Sequence, residues 1–133
     1  MSGTNSTERE ETALAGVSVL VVEDDYLIAK EVVSTLIAHG ANVLGPVPDI
    51  AHGKVLLDKT RPSCALLDIN LKGQFVFELA QELVALGVPP IFTTGYDASF
   101  IPEPLNQIPC LQKPIDMRTL IRSIRKQVGA PPL

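Results

Sequence analysis

The stretch Cys64–Leu71 reads CALLDINL, four residues suited to a buried strand running directly into a carboxylate, Asp68. Asp often starts a turn, and a turn would account for this one alone. The deciding question is whether other apolar strands in the chain end the same way. They do. Val17–Val22 (VSVLVV) runs into Glu23-Asp24-Asp25, Pro90–Thr94 ends at Thr94-Gly95, and Cys110–Gln112 leads into Lys113-Pro114.

Between these strands, apolar residues recur at helical spacing. From Tyr26 to about His39, Ile28, Val32 and Leu36 align with Ala29, Val33 and Ile37 beside them, a stripe wide enough for a helix lying on a sheet. Gly40 follows where a C-cap glycine belongs. A short strand, Asn42–Gly45, precedes a helix from about Ile50 to Lys59 with Asp49 at its N-cap. The third helix, about Phe75 to Leu86, carries Phe75, Leu79, Leu83 and Leu86 at helical intervals. The last, about Asp116 to Val128, turns Met117, Leu120, Ile121 and Ile124 inward. Five strands alternating with helices predict an α/β fold, a parallel sheet covered on both faces. One connection is irregular. Residues 95–109 hold three prolines, and Pro102 and Pro104 would each disrupt a helix interior, so this segment is expected to be mostly loop with at most a short helix.

The bulk properties narrow the class. A chain of 133 residues suits one domain, and 46% apolar with 20% charged residues is ordinary for a soluble globular protein. Net charge −4 and pI near 5.1 argue against nucleic-acid binding, which calls for a basic excess. No apolar run approaches the roughly 18 residues of a membrane span. The N-terminus, MSGTNSTEREETALAG, lacks the apolar centre of a secretory signal. The chain is read as cytoplasmic, with residues 1–15 disordered for want of periodicity. Cys64 and Cys110 match no zinc spacing and are read as buried free thiols, and His39 and His52 as surface residues.

In an open parallel sheet, ligands bind beyond the carboxyl ends of the strands. Carboxylates about 4 Å apart repel by roughly 1 kcal/mol in water and 4 at an effective dielectric near 20, so gathering Glu23, Asp24 and Asp68 there needs a compensating cation. Hard oxygen ligands select Mg²⁺, Mn²⁺ or Ca²⁺, and few protein ligands with open water positions suit Mg²⁺. Lys113 supplies a second positive charge that holds an anion. A divalent ion, a lysine, a hydroxyl and a free carboxylate describe a place where a phosphoryl group sits on Asp68, and carboxylates do accept phosphoryl groups.

VLVVEDD, LLDINLKG, FTTGY and LQKP, in that order and spacing, resemble the response-regulator receiver domain of two-component signalling, over about residues 16 to 129. The resemblance implies a flavodoxin-like (CheY-like) fold with strand order 2-1-3-4-5 and a histidine kinase or phosphotransfer protein as phosphoryl donor. It makes Asp68 the phosphoacceptor. Asp24, Asp68 and the backbone carbonyl of Asn70 become the direct Mg²⁺ ligands, with Mn²⁺ as a substitute and Glu23 acting through water. Thr94 and Lys113 contact the phosphoryl oxygens, and a cis bond is expected between Lys113 and Pro114. Asp25 either caps the first helix or substitutes as a ligand. Arg118, Arg122 and Arg125 form either a solvated face or a docking patch. With strand four between strands three and five, Cys64 and Cys110 would lie about 10 Å apart, too far for a disulfide.

The chain departs from most receivers at Cys110, where the family carries Tyr or Phe as a switch residue. A subclass without that aromatic carries Pro-Phe-x-Phe-Ala-Thr-Gly-Tyr on strand four. Pro89–Tyr96 (PPIFTTGY) is similar to it, departing at Pro90 and Thr93. In that subclass single domains are common near histidine kinases of the HWE or a related type. Without an aromatic at 110, ordering of 95–109 is expected to carry the signal, with Thr94 pulling Gly95 and Tyr96. Tyr96 would also stand beside the path of a hydrolysing water.

The chain stops soon after its last helix, leaving 130–133 as a short tail, so no output domain is expected. The favoured reading is a single-domain regulator, monomer or weak dimer, that signals by contact with a downstream protein. It is not an enzyme beyond promoting its own phosphorylation and dephosphorylation. A phosphate sink or relay intermediate is the alternative. A Mg²⁺-dependent phosphohydrolase of the haloacid-dehalogenase kind would want a second Asp where Asn70 stands. A flavodoxin-like cofactor binder would want a phosphate loop where EDDYLIA stands.

Overall fold

The computed structural model describes residues 10–96 and 98–131. Strand β1 (Ser18–Val22) is followed by α1 (Tyr26–Ala38), β2 (Asn42–Val47), α2 (Ile50–Lys59) and β3 (Cys64–Asp68). Next come a small hairpin, β4 (Asn70–Leu71) and β5 (Gln74–Phe75), then α3 (Phe77–Ala85), β6 (Pro90–Thr94), β7 (Cys110–Gln112) and α4 (Met117–Gln127). The five long strands make one parallel sheet in the order β2-β1-β3-β6-β7. Counting the sheet strands first to fifth, this is the order 2-1-3-4-5.

Alternation along each central strand divides the core between the two faces. Leu20, Val22, Ala65, Leu67 and Phe92 pack with Leu57, Leu79 and Leu83 on the α2–α3 side. Val19, Val21, Cys64, Leu66 and Ile91 pack with Val32, Leu36, Leu120 and Ile124 on the α1–α4 side. Two covered faces leave no polar side in these strands, which is why they read as continuous apolar runs. Asp25, Asp49 and Asp116 cap α1, α2 and α4 by accepting backbone N–H groups of the first turn, so the cap reading of Asp25 is the one realised.

Three expectations are corrected. Disorder through residue 15 fails for residues 10–15. Helical backbone at Glu10 and Glu11 passes into turns, Leu14 is fully buried, and its N–H donates to His39 O at 2.8 Å. The short apolar pair Ala13-Leu14 finds the α1–α4 core, a signal too brief for periodicity. Residues 1–9, and 132–133 of the tail, lie outside the described residues. The third helix begins at Phe77, because Phe75 belongs to the hairpin that the sequence reading missed. Strand two runs on to Val47, through a register irregularity opposite Leu20–Val22.

The segment after β6 contains 3₁₀ turns at Ala98–Phe100 and Leu105–Gln107 and no α-helix among its described residues, as its prolines require. Lys113–Pro114 is cis, as expected, and so are Gly45–Pro46 and Glu103–Pro104.

Candidate functional site

Parallel strands deliver their C-terminal ends to one edge, and there β1, β3, β6 and β7 bring together Glu23, Asp24, Asp68, Thr94 and Lys113. Glu23 and Asp68 are buried, 6% and 5% exposed, and Asp24 is half-buried. The Lys113 ammonium lies 2.8 Å from Glu23 Oε1 and 3.2 Å from Asp68 Oδ2. Backbone groups hold the acids in place. Asp25 N–H donates to Glu23 Oε2 at 3.0 Å, Asn70 N–H to Asp68 Oδ1 at 3.2 Å, and Lys72 N–H to Asp24 Oδ2 at 3.1 Å. Glu23 is itself pinned through its N–H to Val47 O at 2.9 Å.

Charge in this edge is unbalanced. Burial pushes the Glu23 carboxyl up to about 7, and Asp68 adds to the rise, against the Lys113 and Asp25 N–H groups that pull it down. Burial pulls Lys113 down, but its bond to Glu23 and the charge of Asp68 outweigh it, leaving the ammonium above the ordinary lysine value. One oxygen from each of Glu23, Asp24 and Asp68 lies within 4.8 Å of the others. All three are hard donors, and one lysine neutralises only part of their charge. The set fits a divalent ion of the Mg²⁺ type.

Asn70 follows Asp68 by two positions on β4, and its side-chain Oδ1 accepts from Gly73 N–H at 2.9 Å. The amide is thereby committed to closing the hairpin turn. Thr94 is buried, and its Oγ1 accepts from Tyr96 N–H at 2.9 Å, tying the strand-end hydroxyl to the following segment. Tyr96 itself is 63% exposed. Gly95, Tyr96, Ala98, Cys110 and Gln112 line, with Thr94, a cleft of about 530 Å³. The small side chain at 110 leaves this space.

The remaining candidates stand apart. Cys64 and Cys110 are free thiols on strands separated by β6, the buried Cys64 pushed up to about 12 by desolvation. His52 is exposed and paired with Asp49, and half-buried His39 bonds Thr35 O through Nδ1. Arg118 and Arg122 are exposed, whereas Arg125 donates to Ala13 O and Pro131 O, a structural use that sequence reading did not foresee. Also unforeseen was the Lys72-Gly73 turn that holds Asp24. Its signal is the glycine itself, since both turn residues have positive φ, 50° and 81°.

No family model matches the sequence. Among solved structures, the signal receiver domain of a modulated diguanylate cyclase from Desulfovibrio desulfuricans G20 is 31% identical, with TM-score 0.76 over 85% of this chain and 94% of that one. The receiver domain of sensor histidine kinase PA1611 from Pseudomonas aeruginosa PAO1, solved with a magnesium ion in its active-site cleft, is 21% identical. Its TM-score is 0.70, over 87% of this chain and all of that one (100%). A curated relative, the sensory transduction protein LytR of Streptococcus agalactiae serotype V, is 26% identical over 114 residues, 80% of this chain. The match spans 46% of LytR, so the chain covers about half the length of that relative. With the strand-end acids, the β6 threonine and the lysine after β7 assembled on a sheet of this order, the chain belongs to the response-regulator receiver domains of two-component signalling.

Proposed function

We propose that this receiver accepts a phosphoryl group on Asp68 from the phosphohistidine of a histidine kinase or phosphotransfer protein. The observation that carries the reading is Asp68 itself: a strand-end carboxylate, 5% exposed, with Oδ2 facing the Lys113 ammonium at 3.2 Å and two further acids beside it. In the transfer, a carboxylate oxygen forms the new O–P bond, the N–P bond of the donor breaks, and the leaving imidazole takes up a proton. Lys113 pairs with the phosphoryl oxygens, and the buried Thr94 hydroxyl donates to them. Asp24, Asp68 and the Asn70 carbonyl are the residues to hold Mg²⁺, with Glu23 behind them through water. The bound ion neutralises the acids and offsets charge on the transferring group. The magnesium in the PA1611 receiver lends support to this assignment.

Output passes by protein contact, through the segment after Thr94. The Thr94 Oγ1–Tyr96 N–H bond means that a threonine drawn to the phosphoryl group must release or drag Tyr96. With Cys110 in place of an aromatic, that movement replaces the ring switch. A haloacid-dehalogenase-type hydrolase is disfavoured, because Asn70 lacks the acid–base carboxylate and its amide closes a turn.

Incubation with acetyl phosphate and Mg²⁺, followed by intact mass, tests the reading. The wild type gains one phosphoryl group and Asp68→Ala gains none. A gain that persists in Asp68→Ala would overturn it.

A further inference from the structure

All four phenylalanines of the chain, Phe75, Phe77, Phe92 and Phe100, sit in one cluster although they come from four different elements. Phe75 on β5 stacks on Phe77, the first residue of α3, at 5.6 Å between centroids with the planes 8° apart. Phe100, in the 3₁₀ turn after β6, leans on both, 5.6 Å from Phe75 and 6.3 Å from Phe77. Phe77 meets the fully buried Phe92 edge-on at 6.0 Å. Phe75 and Phe100 are nevertheless 53% and 41% exposed. Burial alone does not explain two aromatic rings held on each other at the surface.

The positions of these rings give the cluster its meaning. Phe75 is the bridge partner of Asn70 in the β4–β5 hairpin. That hairpin presents Asn70 to the acid site and, through Lys72 N–H, grips Asp24. Phe100 lies in the segment tied to Thr94 through Tyr96. Phe92 precedes Thr94 by two residues on β6. The rings therefore join the two segments that leave the site, one after Asp68 and one after Thr94.

We propose that Phe75 and Phe100 are positioning residues for the divalent ion: their contact fixes the hairpin that offers the Asn70 carbonyl, and couples ion binding to the turn at 98–100. This rests on the functional reading above and adds a route from the ion to the segment that carries output. Coupling of this kind is reciprocal, so ion uptake must also bias the 98–100 turn.

The test titrates Mg²⁺ into wild type, Phe75→Leu, Phe100→Leu and Phe100→Tyr by calorimetry. In parallel, fluorine NMR of wild type labelled with para-fluorophenylalanine follows the rings. Both leucine variants are expected to bind Mg²⁺ about two- to tenfold more weakly, the range one aromatic contact supplies. Phe100→Tyr keeps the ring and binds as wild type does. The Phe75 and Phe100 fluorine signals shift during the titration with the calorimetric midpoint. Equal affinity in wild type and both leucine variants, or fluorine signals that stay still while wild type takes up the ion, overturns the coupling and leaves the functional reading standing. A wild type that takes up no Mg²⁺ overturns both.

Discussion

The Lys113 ammonium stands 2.8 Å from Glu23 Oε1, and the same nitrogen also reaches Asp68. A single cation thus serves two buried carboxylates, and burial raises the Glu23 pKa to about 7 in spite of its bond to Lys113. Removing one partner of such a cluster leaves buried charge uncompensated, which is more disruptive than the pair is stabilising.

A pH dependence follows with a definite sign. Glu23 binds its proton more tightly in the folded protein, so its contribution to stability is fully present below its ordinary value of 4.5 and is lost as pH rises through about 7. Without added divalent ion, the urea midpoint should fall between about pH 5 and 8, by up to about 3 kcal/mol in stability. Glu23→Gln should flatten that fall, and Mg²⁺ should restore the wild type at the high-pH end. An identical slope in Glu23→Gln would place the titration elsewhere.

Gly45 lies within the register irregularity between β1 and β2, two residues before Val47, whose O accepts Glu23 N–H. Its φ is +100°, and a Cβ there would lie 2.8 Å from both Val21 O and Val47 N. Gly45→Ala should cost on the order of 1–3 kcal/mol and should weaken Mg²⁺ binding through the displaced Glu23. Chemical denaturation beside calorimetry checks both parts.

Lys72 occupies a left-handed turn position at φ 50°, next to Gly73 at 81°. Asn tolerates that geometry better and is common in two-residue hairpin turns. Lys72→Asn should raise stability by up to about 1 kcal/mol while keeping the Lys72 N–H bond to Asp24, so Mg²⁺ affinity should hold. Thermal unfolding of the two proteins decides it.

Tyr96 stands two residues beyond Thr94, its ring exposed beside the cleft at Cys110. A bulky ring at this place should hinder the water that hydrolyses the acyl phosphate. Tyr96→Ala should therefore shorten the phosphoryl lifetime several-fold, read as decay of the phosphorylated mass after the donor is removed. An unchanged lifetime would exclude the ring from that path.

The fold and the acids were legible in the chain for one reason. Strands buried on both faces are continuous apolar runs, and their polar ends, at Glu23, Asp68, Thr94 and Lys113, mark an edge without any need for tertiary detail. What escaped is set by shorter signals. The β4–β5 hairpin has two-residue strands, too brief for alternation, so spacing alone assigns Phe75 to the next helix. Ala13 and Leu14 are two buried residues at the end of a polar stretch, too few to show a period. The phenylalanine cluster escaped because rings from separate elements meet only once the sheet order brings the hairpin beside the 98–100 turn.

If Asp68 accepts a phosphoryl group in a site neutralised by a divalent ion, the same site should hold beryllofluoride, a phosphoryl mimic. Fluorine NMR of the protein with beryllofluoride reads this. Wild type should show bound-fluoride signals only when Mg²⁺ is present, and Asp68→Asn should show none. Bound signals that form without Mg²⁺, or that survive in Asp68→Asn, would contradict it.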